Sequence, residues 1–139
     1  MTIKAKGLDH VAIAVRDLEK AIATYRDAFG LELTHREEVE EQQVKAAIFG
    51  RGMGRVELIC PTVQDSGVAR FIEKRGEGLH HICIEVEDIE AAMAALRASG
   101  APLIDDQPKP GAGGARVAFV HPKGTGGVLV ELRQGPKHE

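Results

Sequence analysis

Two histidines and two glutamates of this chain sit at matched positions. His10 opens the run HVAIAVRDLEKA at residues 10–21, and His81 opens HICIEVEDIEAA at residues 81–92. The same offset of 71 positions relates Asp17 to Asp88. Glu57 lies in Arg55-Val56-Glu57-Leu58-Ile59 and Glu131 in Leu129-Val130-Glu131-Leu132-Arg133, two segments that share Val-Glu-Leu 74 positions apart. A lone histidine at a strand start reads as a core or turn residue, and a lone strand glutamate as merely exposed. A His–Glu pair that recurs at equivalent points of an internal repeat reads differently, because repeats preserve what both copies use.

Imidazole nitrogen and carboxylate oxygen are ligands for a divalent ion. Two of each suit Mn²⁺, Co²⁺, Ni²⁺, Fe²⁺ or Zn²⁺ better than Ca²⁺ alone. Four protein ligands on an octahedral ion leave two positions for a bidentate substrate. A strand carboxylate flanked by apolar residues is also costly to bury unless a cation neutralises it. The expected metal ligands are therefore His10, Glu57, His81 and Glu131.

The elements that must position these four groups follow from periodicity. Val11, Ile13 and Val15 alternate with His10, Ala12 and Ala14, the period of a strand with two unlike faces. Asp17 is placed to cap a helix through roughly Phe29, with Leu18, Ala21, Ile22, Tyr25 and Phe29 at helical spacing and Gly30 as its stop. The second copy repeats this plan with Ile82, Ile84 and Val86, the cap Asp88, helix residues Ile89, Met93 and Leu96, and Gly100. Short strands follow each helix: about 32–38, 43–49 and 55–60 in the first half, and about 102–105, 115–121 and 128–132 in the second. Glycines punctuate them as turns require.

Each half is thus βαβββ, and the expected fold class is α+β. Two such modules are expected to form one curved eight-stranded sheet, with helices outside and a metal cleft inside. The chain reads as a single domain over residues 1–139. Module one spans about 7–62, a linker with a short helix near 67–74 spans about 63–78, and module two spans about 79–134. The Val and Ile faces must cover the helices, so His10 and His81 point into the cleft, while His80 points away and receives no role.

Composition narrows the function classes. Of 139 residues, 43% are hydrophobic and 28% charged, which fits a folded chain with an ordinary surface. The net charge of −3 and the lack of tryptophan leave neither a basic field nor a stacking surface, so no nucleic-acid partner is expected. No apolar run approaches the length of a membrane span and the N-terminus carries no secretory signal, so a cytoplasmic protein without a membrane partner is expected. Cys60 and Cys83 sit in apolar runs and read as buried free thiols. Lys109, Arg116 and Lys123 provide local positive charge suited to an anionic small molecule. The acidic run Glu37-Glu38-Val39-Glu40-Glu41 reads as a solvated loop, and the glycine-rich stretch 109–114 as a hairpin turn or a loop over the cleft.

With DHVAIAV at the first strand, GLHHICIEV in the third quarter and VAFVHPKGTGGVLVEL near the end, the chain resembles the vicinal oxygen chelate superfamily, specifically its methylmalonyl-CoA epimerases. The likeness runs from about Gly7 to Gln134. It implies the same four ligands, with Glu57 where the family often has glutamine, and a single divalent ion, Co²⁺ before Mn²⁺, Ni²⁺ or Zn²⁺. It further implies an acyl-CoA substrate, a homodimer, and interconversion of (2R)- and (2S)-methylmalonyl-CoA through an enolate formed by proton removal at the α-carbon. Glu131 is the implied proton-transfer residue, and His121 and Lys123 are implied substrate contacts. Some epimerases carry a second carboxylate where this chain has Ala46, next to Lys45, which leaves water, Lys45 or Glu57 for the second proton transfer. The competing readings are a glyoxalase-I-like lactoylglutathione lyase and a non-enzymatic protein that sequesters small molecules.

Overall fold

The computed structural model describes residues 3–136. The architecture is α+β. Among the described residues eight strands occur in chain order: β1 (Ala5–Ala14), β2 (Leu33–Val39), β3 (Val44–Phe49), β4 (Arg55–Pro61), β5 (Gly78–Val86), β6 (Lys109–Pro110), β7 (Arg116–Val120) and β8 (Val130–Gln134). Three α-helices accompany them: α1 (Leu18–Ala23), α2 (Gly67–Arg75) and α3 (Ile89–Ala98). None is long and apolar enough to cross a membrane. The chain divides into two compact units, one comprising His10–His80 and the other joining the residues up to Asp9 to those from His81 onward.

In the His10–His80 unit the strands lie in the order β2-β3-β4-β1. β1 pairs with β4 in parallel, and β4 and β2 pair with β3 antiparallel. One face is apolar: Val15, Leu18, Ile22, Ala47, Phe49 and Leu58 form a buried cluster extended by Ile13, Tyr25 and Val56. This face packs on α1, as the alternation in the sequence requires. Register places His10, Ala12, Glu57, Ile59, Ala46 and Ile48 on the other face. Helix α2, read from sequence as part of a linker, is capped by Ser66 and buries Val68 and Ile72.

The second unit repeats the plan with the order β5-β8-β7-β6. Val86, Ile89, Met93, Ala118, Val120, Val130 and Leu132 form its core against α3. His81, Cys83, Glu85, Glu131, Arg133 and Phe119 alternate out of phase with that core. Asp17 and Asp88 cap their helices, accepting from the backbone N–H of Lys20 and Ala91 at 3.1 Å in both cases, as N-cap carboxylates do. Gly30 and Gly100 end the two helical segments with φ of 72° and 83°, the left-handed turn that glycine takes without strain.

Three expectations are corrected. The first helix widens into a π-helical turn over Thr24–Ala28, with the N–H of Phe29 donating five residues back to Thr24, the bonding of a π-bulge. The extra residue rotates Phe29 off the apolar stripe, and it is exposed, touching the Tyr25 ring edge-on. Residues 102–105 do not form a strand. Only an isolated bridge joins Leu103 to Val120, and the edge strand is Lys109–Pro110. Prolines at 102, 108 and 110 lack the N–H that a longer ladder needs. The Asp105 carboxylate takes the Phe119 N–H at 2.7 Å instead. The acidic run is not a loop throughout, since Glu37 and Glu38 belong to β2.

Candidate functional site

Each unit carries a buried histidine–glutamate pair on the face turned away from its helix. In the first, β1 presents His10 and β4 presents Glu57, with Nε2 and Oε1 3.3 Å apart. In the second, β5 presents His81 and β8 presents Glu131, with the corresponding atoms 3.2 Å apart. All four residues are at most 7% exposed. In the parallel pairings of β1 with β4 and β5 with β8, Glu57 stands beside Ala12 and Glu131 beside Cys83, each two residues along the same strand face from its histidine. Phe119 of β7 meets the His81 ring edge-on, centroids 5.3 Å apart. That edge-to-face contact fixes the plane of the imidazole.

A second charged group in the His81–Glu131 unit escapes a reading based on the repeat. Arg133, two residues beyond Glu131 and in phase with it, is buried and donates to Glu85 Oε1 at 2.8 Å and to Asp9 Oδ1 at 3.5 Å. Glu85 also accepts the N–H of Gly135 at 2.8 Å. Buried charges persist only when paired, and this cluster ties β5, β8 and the start of β1 together beside the His–Glu pair. The available signal was the period-2 phase of Glu85 with His81 and of Arg133 with Glu131.

The three basic residues near the C-terminus separate. Lys109 lies beside Val117 in register, ion-pairs with Asp105 at 3.0 Å, and holds its ammonium 5.1 Å from the centre of the Phe119 ring. Arg116 turns to the helix side and pairs with Glu90 of α3. Lys123 is exposed after β7, its N–H donating to His121 Nδ1 at 3.0 Å, so that His121 caps a short turn over Pro122–Gly124. His80 packs its ring against Phe71 of α2, centroids 4.8 Å apart. Cys83 is fully buried on the Glu131 side of β5, whereas Cys60 is only partly buried. Lys45 stands in register with Cys60 and Glu38, on the helix face, which removes it from the candidates for a proton-transfer group beside Glu57.

A sequence profile of the Glyoxalase/Bleomycin resistance protein/Dioxygenase superfamily matches residues 9–119, and the chain belongs to that superfamily. Among its relatives is the mitochondrial methylmalonyl-CoA epimerase of Mus musculus, 42% identical over 94% of this chain and 74% of that protein. The ethylmalonyl-CoA/methylmalonyl-CoA epimerase of Cereibacter sphaeroides is 43% identical over 91% of this chain and 96% of that protein. A variant of the Streptomyces coelicolor methylmalonyl-CoA epimerase, solved with 2-nitronate-propionyl-CoA, superposes with a TM-score of 0.93 at 35% identity, covering 99% of both chains. Within the superfamily the chain thus groups with the methylmalonyl-CoA epimerases and shares their fold. A probable lactoylglutathione lyase of Vibrio cholerae is more distant, at 31% identity over 90% of this chain.

Proposed function

We propose that this protein is a methylmalonyl-CoA epimerase in which His10, Glu57, His81 and Glu131 hold one divalent ion. The observation that carries the reading is the duplicated, buried His–Glu pair, in a chain 42% and 43% identical to two such epimerases. The donor chemistry fits a metal, since two imidazoles and two buried carboxylates offer four ligands and call for a cation. When bound, that ion stabilises negative charge developing on a carbonyl oxygen of the substrate. In this reading the ion is Co²⁺, with Mn²⁺, Ni²⁺ and Zn²⁺ as substitutes.

The protein's own groups supply the rest. Glu131 exchanges a proton with the α-carbon, which lies between a thioester and a carboxylate and is therefore acidic. Phe119 holds His81 in plane, and the Asp9–Arg133–Glu85 cluster fixes the strands that carry Glu131. Lys123 and His121 meet the anionic parts of the acyl-CoA. The protein acts as a cytoplasmic homodimer, for which sedimentation should return twice the mass of one chain.

The test is turnover of two substrates by metal-loaded protein: methylmalonyl-CoA, and the hemithioacetal of methylglyoxal with glutathione. Epimerisation of methylmalonyl-CoA with incorporation of solvent deuterium at the α-carbon is expected. Turnover of the hemithioacetal alone would contradict the reading, and retention of a small molecule with neither reaction would favour sequestration.

A further inference from the structure

Inverting a carbon through proton transfer requires one group to remove the proton on one face and another to return it on the opposite face. In the epimerase reading Glu131 is one of these groups, and the sheet face that carries His10 and Glu57 is where a second carboxylate is sought. We infer that Glu37 is this second proton-transfer residue. The inference rests on the epimerase reading given above.

The observation behind it is a β-bulge. At the start of β2, Leu33 pairs with Phe49, on the helix side; after an irregularity between Leu33 and His35, the partners become His35 with Ile48 and Glu37 with Ala46. Thr34 is the additional residue, and its hydroxyl donates to the carbonyls of Ile48 and Gly50 at 3.1 and 2.9 Å. A shift of one residue turns every later side chain of a strand to the other face. Without it Glu37 would lie over α1. With it, Glu37 joins the row of Ala46 and Ile59, while Arg36 takes the helix side and pairs with Glu19 of α1. Among the described strand residues of this unit, Glu37 and Glu57 are the two carboxylates on the His10 face.

The surroundings suit proton transfer. Ala46, directly beside Glu37, presents only a methyl group, so the longer side chain can lean inward across β3. Two strand spacings, about 10 Å, separate β2 from β4, which leaves room for an acyl group between Glu37 and the His10–Glu57 pair. Glu37 Oε1 is 2.7 Å from His35 Nε2, and the His35 side chain is 46% exposed. A carboxylate bonded to a solvent-accessible imidazole can exchange its proton with water between turnovers.

The test compares wild-type and Glu37→Gln protein, both metal-loaded, with pure stereoisomers in deuterium oxide. In the variant, metal binding should be unchanged and inversion should fall by about 10² to 10⁴. Exchange of the α-hydrogen should persist for the stereoisomer served by Glu131 and vanish for the other. Glu37→Asp should recover part of the inversion rate. Inversion within threefold of wild type, or equal loss of exchange from both stereoisomers, would overturn the assignment. Absence of exchange in the wild type would instead refute the epimerase reading, and the role of Glu37 would fall with it.

Discussion

A buried arginine beside a candidate ligand sets the strongest constraint at the scale of single residues. Arg133→Met would leave Glu85 and Asp9 buried without their guanidinium, and stability should fall by about 3–5 kcal/mol, measurable by urea unfolding at neutral pH. A loss under about 1 kcal/mol would mean that the cluster is solvated in solution. The two adjacent histidines make a sharper pair. His81→Ala should abolish metal binding and turnover in a folded protein, while His80→Ala, which removes a ring packed on Phe71, should keep most activity. Equal losses would show that the register of β5 is misassigned. The cysteines differ as well. Desolvation pushes the Cys60 thiol above its usual range, so less of it is thiolate at a given pH. A disulfide exchange reagent at pH 8 should react slowly with Cys60, and with Cys83 only after unfolding.

The same scale explains what could be read in advance. The four candidate ligands were visible because duplication printed each pair twice. Glu85 and Arg133 have no such echo: the repeat offsets of 71 and 74 set Ala14 against Glu85 and Ile59 against Arg133. Glu37 was hidden for a different reason, since a bulge of one residue decides its face and no spacing in the sequence marks it.

At the scale of elements, caps and stops were legible and edges were not. Asp17 and Asp88 were identifiable from their place before an apolar helical stripe, and the structure has both side chains accepting the expected N–H. Asp88→Ala should cost about 1 kcal/mol, read as a lowered urea midpoint with an unchanged slope; no shift would mean that the Ile89 N–H bond to Gln134 already secures the helix start. The π-helical turn after α1 was not legible, because Leu18, Ile22, Tyr25 and Phe29 keep helical spacing in sequence whether or not one turn widens. The strand expected at 102–105 failed on prolines, whose missing N–H outweighs alternation in a short edge segment.

For the whole molecule, the duplicated βαβββ plan was readable because each half has one apolar and one polar sheet face. Where the chain divides was not: the compact units part within β1 and β5, at Asp9/His10 and His80/His81, rather than in the segment between modules. Each candidate pair is then assembled from strands of one unit. The proposed ion, binding the folded chain and not the unfolded one, adds to its stability. At an ion concentration 100 times Kd, the unfolding free energy should rise by about 2.7 kcal/mol, and a chelator should reverse the gain. The most direct measurement of the proposed ion is the binding stoichiometry of Co²⁺ to wild-type, His10→Ala and His81→Ala protein. One ion per chain in the wild type, lost in either variant, is the expected result. Two ions per chain, or binding that survives in one variant at full affinity, would mean that His10 and His81 do not hold one common ion.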